Sequence, residues 1–184
     1  MLEEVVLLFE GHAHAEDTLV FPMLNEVAPK LVTEFEKQHI QDHQLGEELE
    51  TAIDQLKAAG SRVEKMKAGI QIQLAFTEFV AFNLSHMNQE ETIINEKLWA
   101  HYSDDELMAI QQKVVATVSP EKNAKYGYWM LKGLSQNEII GWYREIKENA
   151  PPFVLAQMLK LAKSVLPQDK YRVLSESFEE RVFA

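Results

Sequence analysis

Residues 9–22 read Phe-Glu-Gly-His-Ala-His-Ala-Glu-Asp-Thr-Leu-Val-Phe-Pro, and this stretch indicates how the chain folds. It contains His12 and, four residues later, Glu16. On a helix these two side chains project from the same face, one turn apart. Leu8 and Leu19 continue that row on either side, so the pair lies on the apolar stripe that should face a core.

Two later stretches repeat this arrangement of polar pairs on an apolar face. His39 is followed four residues later by His43, and His86 is followed four residues later by Glu90. Burying imidazoles and carboxylates among apolar side chains is unfavourable unless a partner satisfies them, and a metal ion held between facing helices satisfies several at once. The candidate metal ligands are therefore the members of the three pairs: His12, Glu16, His39, His43, His86 and Glu90.

Simpler explanations exist for each pair taken alone. A single histidine on an apolar face is usually a core residue with a backbone partner, and a histidine–glutamate pair at this spacing is often a surface ion pair. Three such pairs on three consecutive helices favour a metal site. His14 and His101 are expected at the surface, and Glu91 could support or bridge the metals but ranks below Glu90.

The composition limits the chemistry that the chain can use. It has 184 residues and no cysteine, which excludes disulfides, zinc–thiolate sites, iron–sulfur clusters and thiol catalysis. The net charge of −11 argues against binding to nucleic acid or to an anionic membrane. The N-terminus lacks the basic start of a signal peptide, and no apolar run reaches membrane-spanning length. We therefore expect a soluble, cytoplasmic protein.

The spacing of apolar residues is helical along the whole chain and predicts an all-α protein. Three long helices are expected at residues 2–21, 29–59 and 62–100, with Pro22 closing or bending the first and Asn25 in the turn that follows. We expect residues 1–102 to form a helical bundle and residues 103–184 to form a region of short helices.

Cap and break signals divide the C-terminal region. Ser103 and Ser135 are each followed three residues later by Glu, which is the pattern of a capping box, and Ser119-Pro120 starts another helix. The last helix is expected to reach Phe183. Three aromatic residues of this region could form an interaction surface, but at helical spacing such residues are more often part of the core: Trp129, Trp142 and Tyr143. Its short helices could imitate a helix-turn-helix, but its basic residues are balanced by nearby acids, so binding to DNA is a low-ranked interpretation.

Three stretches together resemble the hemerythrin-like family, also called the HHE cation-binding domain: residues 9–22, 35–43 and 84–91. The resemblance covers roughly residues 1–100 and implies an up-down four-helix bundle that holds two irons. It implies that His39, His43 and His86 bind one metal, that His12 binds the other, and that Glu16 and Glu90 bridge them. Imidazole and carboxylate ligands independently suit iron or manganese, and they are compatible with zinc.

The chain departs from the family in one respect. The family has an earlier helix that supplies one more histidine to the second metal, and none of the eleven residues before His12 is a histidine. The resemblance therefore implies two irons. Only one iron is expected if the metal position at His39, His43 and His86 is the only complete one. We expect the C-terminal region or the second copy of a homodimer to cover the place of that helix.

The resemblance implies a binding or sensing protein whose partners are a metal ion and a small ligand: O₂, NO, peroxide or iron itself. The second hypothesis is a di-iron oxidase or peroxidase. It ranks lower because no acid–base residue or substrate motif is evident beyond the ligands, so the sequence favours a protein that is not an enzyme. The third hypothesis is a metal-free helical scaffold or interaction protein.

Overall fold

The computed structural model of the chain describes residues 1–178, which are helical with short connections and contain no strand. This confirms the all-α prediction. The α-helices are α1 Leu2–Ala15, α2 Phe21–Val27, α3 Pro29–Ala58, α4 Arg62–Gln89, α5 Asn95–His101, α6 Asp104–Thr117, α7 Pro120–Gly133, α8 Gln136–Asn149, α9 Pro152–Val165 and α10 Gln168–Glu176. Two π-helical turns, Glu16–Val20 and Glu90–Ile94, join α1 to α2 and α4 to α5.

The chain divides into two compact units, residues 1–116 and 117–184. The first contains α1 to α6 and both π-helical turns, and the second contains α7 to α10. None of the described helices has the length and apolarity needed to span a membrane.

Three long helical rods form most of the first unit: residues 2–27, residues 29–58 and residues 62–101. Each rod reverses the direction of the one before it. One end of the bundle is a cluster around Val6, Leu49 and Phe79, contributed by α1, α3 and α4. The other end is a cluster that includes Phe21 and Phe35. The histidines and glutamates of the three predicted pairs lie along the rods between these two apolar clusters.

The first rod does not stop where the sequence predicts. The helix continues through Pro22 to Val27, so Asn25 lies in a helix and not in a turn. Proline lacks the N–H of a helical hydrogen bond, and its ring clashes with the preceding turn of a regular helix. The π-helical turn immediately before it, in which the N–H of Phe21 donates to the carbonyl of Glu16, widens the backbone at this point and accommodates the ring.

The predicted caps of the later helices are confirmed. The N–H of Ser103 donates to Oε2 of Glu106 at 2.8 Å, and Ser135 and Glu138 form the second capping box. Ser61 forms a further box with Glu64 at the start of α4. The expected extension of the last helix to Phe183 includes residues 179–184, which lie outside the described part of the chain.

Two core residues from α8 centre the second unit. Ile139 and Tyr143 are fully buried, and the hydroxyl of Tyr143 donates to the carbonyl of Met158 at 2.8 Å. Trp142 packs against this cluster. The reading of Tyr143 as a core residue is therefore confirmed.

Gly46 allows α1 to approach α3 closely. A Cβ atom at this position would lie 3.1 Å from Cγ1 of Val6 and 3.9 Å from the ring of Phe79. By contrast, a Cβ atom on Gly69 of α4 would meet nothing within 4 Å.

We therefore expect Gly46→Leu to lower the free energy of unfolding by about 1–3 kcal/mol, because the new side chain overpacks the contact between α1 and α3. The same change at Gly69 should raise it by roughly 0.5–1 kcal/mol, because leucine is the better helix former. Chemical denaturation of the metal-free protein measures both. Equal effects at the two positions would contradict the close approach.

Candidate metal centre

Five side chains from the three rods converge midway along the first unit. Nε2 of His12 lies 3.4 Å from Oε2 of Glu16 and 3.5 Å from Oε2 of Glu90. Nε2 of His39 lies 3.3 Å from Oε2 of Glu16 and 3.8 Å from Oε1 of Glu90. Nε2 of His86 lies 2.6 Å from Oε1 of Glu90. We call these five residues the His/Glu cluster.

The cluster is buried, although one member reaches the surface. His39, His86 and Glu90 are at most 7% exposed. The side chain of His12 is 35% exposed and that of Glu16 is 15% exposed. His12 therefore marks the side of the cluster that is nearest to solvent.

The donor atoms of the cluster fit a metal ion. Four of them are buried without a hydrogen bond: Nε2 of His12, Oε2 of Glu16, Nε2 of His39 and Oε1 of Glu90. Buried polar atoms almost always have partners, so orphaned atoms that face one another need an explanation. One donor atom from each of Glu16, His39, His86 and Glu90 lies within 4.8 Å of the others, and imidazole nitrogens with carboxylate oxygens suit iron, manganese or zinc.

Two residues that sequence reasoning missed orient the buried imidazoles. Nδ1 of His39 lies 2.8 Å from Oδ1 of Asp17, and Nδ1 of His86 lies 2.8 Å from Oε1 of Gln38. A ring N–H that donates at Nδ1 leaves Nε2 free to bind a metal. Asp17 and Gln38 each contact a histidine on another helix, so spacing along one helix could not reveal them.

Aromatic rings hold these imidazoles in place. The ring of Phe21 stacks on His39 with centroids 5.0 Å apart, and Phe82 stacks on His86 at 5.9 Å. Phe35 packs against His86 at 5.6 Å. Because the rings cover the imidazole faces, water has little access to that side of the cluster.

Each glutamate of the cluster opens a π-helical turn. The two turns have similar sequences, Glu-Asp-Thr-Leu-Val at 16–20 and Glu-Glu-Thr-Ile-Ile at 90–94. In a regular helix Phe21 would lie about 140° around the axis from Glu16, whereas the wider turn brings both side chains inward. The π-helical turn at 16–20 therefore lets the first rod supply both Glu16 and the core residue Phe21, whereas in the second turn the buried Ile94 lies four residues after Glu90.

The structure places His43 outside the cluster. Its side chain is 60% exposed and faces Glu10 and Glu47, with Nε2 3.3 Å from Oε1 of Glu47. The buried row of α3 advances by three residues after His39, to Asp42, and not by four. His43 therefore lies at the edge of that row, and five of the six predicted residues come together.

The remaining histidines and Glu91 lie at the surface. His14, His101 and Glu91 are exposed, and Nδ1 of His101 lies 2.8 Å from the carbonyl oxygen of Lys97. Glu91 therefore points away from the side of the helix that carries Glu90.

A second buried polar contact lies one turn from the cluster. Oδ1 of Asp42 accepts a hydrogen bond from Nδ2 of Asn83 at 2.6 Å, and the same amide donates to the carbonyl of Phe79 at 3.0 Å. Asp42 is 6% exposed and Asn83 is 2% exposed. Asp42 occupies the inward position that sequence analysis assigned to His43.

The charges of the cluster depend on one another. Burial disfavours the charged form of His39, but its contacts with Glu16, Glu90 and Asp17 outweigh this and raise its pKa to about 10. Burial raises the pKa of Glu16. Burial would also raise the pKa of Glu90, but contacts with three histidines lower it well below its usual range. Without a metal, the cluster therefore holds Glu90 as a carboxylate beside a protonated His39.

Comparison with known families identifies the domain in which the cluster lies. A family model described as "Hemerythrin HHE cation binding domain" matches residues 1–98. This range contains the whole His/Glu cluster and confirms the resemblance stated from the sequence. No curated protein and no solved structure matches the chain.

We expect Asn83→Leu to lower the free energy of unfolding by about 3 kcal/mol, because it leaves the buried carboxylate of Asp42 without its donor. The double variant Asp42→Leu/Asn83→Leu should be less destabilised than Asn83→Leu alone, because neither polar group is then left unpaired. Denaturant titration measures both. Additive losses in the double variant would show that the pair does not interact.

The stability of the metal-free protein should depend on pH through His39. Its pKa is about 10 in the folded protein against an ordinary value of 6.5, so the folded state holds the proton more tightly. The stabilisation should be complete below about pH 6.5 and should be lost as the pH rises through about 10. Thermal unfolding across this range measures the loss, and His39→Gln should flatten the curve. An equally steep fall in His39→Gln would assign the effect to another group.

Proposed function

The chain belongs to the hemerythrin HHE cation-binding domain family, and from that premise we propose that its first unit is a non-heme iron protein that binds O₂ or NO or senses iron. The observation that carries the proposal is the convergence of four orphaned donor atoms in a buried cluster of histidines and glutamates. Satisfying those atoms by water alone would require several waters in a space that is closed on one side by phenylalanine rings.

We propose that the five residues of the cluster would hold two irons, His12 serving one and His39 and His86 the other, with Glu16 and Glu90 placed to serve both. Both carboxylates already face His12 and His39, which supports this division of the ligands. A single iron held by the same five side chains is the competing arrangement. His43 is not assigned to either metal in this proposal, because its side chain is exposed.

Iron bound there would supply a coordination position at which a small diatomic ligand can attach. The chain's own residues prepare that position. Phe21, Phe35 and Phe82 cover the imidazoles, which limits access of water and protons. Asp17 and Gln38 fix the orientation of two imidazoles. The exposed edge of His12 marks where a small ligand would enter.

Two other functions rank below this one. A di-iron oxidase or peroxidase would use the same cluster and the same opening at His12, but it would need further residues to bind and orient a substrate. A metal-free scaffold would leave the orphaned atoms buried at a cost of about 1–3 kcal/mol for each group. The partners that we propose are a metal ion, a diatomic ligand and a second copy of the chain.

The first test is the metal content of protein purified without chelators, measured by mass spectrometry. We expect close to two irons per chain, and close to one if the single-iron arrangement holds. His39→Ala/His86→Ala should lose the metal. The matched control is His43→Ala, which removes an exposed imidazole one turn away and should retain it.

Other outcomes would change the proposal. A loss of metal in His43→Ala would show that α3 rotates on binding and returns His43 to the site. A protein without metal, whose stability is the same in all variants, would contradict metal binding and favour a scaffold.

The second test separates binding from catalysis. We expect the iron-loaded protein to show a reversible absorption change with O₂ or NO, because the covered imidazoles should slow irreversible oxidation. Anaerobic titration with NO, followed by removal of the gas, measures reversibility. Sustained consumption of peroxide with an added reductant would instead favour the enzyme hypothesis.

A further inference from the structure

The outward side of α4 carries a continuous apolar row, which we call the α4 stripe. Its members are Val63, Met66, Ile70, Leu74, Thr77, Ala81 and Leu84. The five large members are each more than half exposed. They lie on the side of the helix opposite to the buried row that includes Ala68, Phe79 and His86. The helix is therefore apolar on two opposite sides, although only one of them faces the core of the first unit.

The α4 stripe is also almost free of charge. Between residues 68 and 85 the only charged residue is Glu78, in a chain of which 26% is charged and whose net charge is −11. The hydroxyl of Thr77 donates to the carbonyl of Gln73 at 2.7 Å, which satisfies the hydroxyl within the helix. Apolar stripes on the surface of a helix normally pack against a partner, so the outward side of α4 needs one as the inward side does.

Six of the seven members of the α4 stripe form three pairs that are symmetric about one point, and the seventh, Leu74, lies beside that point. Val63 and Leu84 are equally far from the point between Gln73 and Leu74, and so are Met66 and Ala81, and Ile70 and Thr77. If two copies of α4 pack antiparallel about that point, the members of each pair face one another across the interface, and the two inner pairs place a large side chain against a smaller one. The two copies of Leu74 then lie side by side next to the symmetry axis, offset by one residue along the helices. Such self-complementarity is what an interface with two-fold symmetry requires.

The charged residues beside the α4 stripe fit the same arrangement. Lys67 and Glu78 lie on one flank of the row. In an antiparallel pair with two-fold symmetry, the same flank of both helices meets across the interface. Lys67 of one copy then lies within about one helical turn of Glu78 of the partner subunit, and the symmetry creates this attraction twice. A parallel arrangement would bring opposite flanks together and lose both contacts.

We propose that the α4 stripe is a homodimer interface in which α4 of two copies packs antiparallel about the point between Gln73 and Leu74. The proposal does not depend on metal binding, because the row lies on the side of α4 opposite to His86 and the cluster. It also assigns the second copy to a definite surface, whereas the sequence suggested only that the C-terminal region or a second copy covers the place of a missing helix.

The size of the α4 stripe is compatible with this role. Its ends are 21 residues apart, which corresponds to about 31 Å along a helix. Five large, mostly exposed apolar side chains over that length form a patch of several hundred Å², the scale that marks contact sites between proteins. Two such patches together approach the roughly 1,000 Å² expected of a biological interface.

Sedimentation equilibrium of the full chain tests the association. We expect a dimer, and we expect Ile70→Glu/Leu74→Glu to raise its dissociation constant at least 100-fold, because four carboxylates would face one another. The matched control is Leu7→Glu on α1, a side chain that is 53% exposed and should leave the dimer unchanged. Circular dichroism should show equal helix content in all three proteins, since the altered side chains point into solvent.

Cross-linking tests the register, and the absence of cysteine from the chain makes each single-cysteine variant unambiguous. With a short bismaleimide, Leu74→Cys copies should cross-link to each other. Val63→Cys copies should not, because they would lie about 30 Å apart, but they should cross-link to Leu84→Cys copies. A monomeric native chain, a dimer that survives Ile70→Glu/Leu74→Glu, or cross-linking between two Val63→Cys copies would overturn the proposal.

Discussion

Imidazoles and carboxylates are buried together inside an apolar bundle, and the rest of the first unit offsets the unfavourable free energy of that burial. Burial opposes the charge on each of these groups, so in the metal-free protein they hold one another in definite protonation states. Glu90 is central to this balance, because it faces three histidines and carries the fixed negative charge. The apolar clusters at the two ends of the bundle supply the stability that offsets the burial of polar groups.

The backbone adapts to the same constraint. A glutamate that points inward would normally be followed, five residues later, by a side chain that points away from the core. The π-helical turn at 16–20 removes that conflict between Glu16 and Phe21, and it also allows Pro22 to stay within the rod. Both π-helical turns begin at a glutamate of the cluster, and such turns are common near functional sites.

α4 serves two purposes on opposite sides. Its inward row contributes His86 and the buried amide of Asn83, while its outward row is apolar and nearly uncharged. A dimer built on the outward row would stiffen the helix that carries His86 and leads into the π-helical turn of Glu90, without adding a ligand. Association and metal binding would then share a structural element but not a surface.

The sequence by itself determined the helical fold, the caps of the short helices and five residues of the cluster, because helical periodicity and local capping depend on neighbours within a few residues. Tertiary structure decided which side of each rod faces inward. Spacing could not distinguish a step of three from a step of four after His39, so His43 was expected where Asp42 lies. Spacing also could not show Asp17 beside His39 or Gln38 beside His86, because each contact joins two helices whose relative rotation only packing fixes.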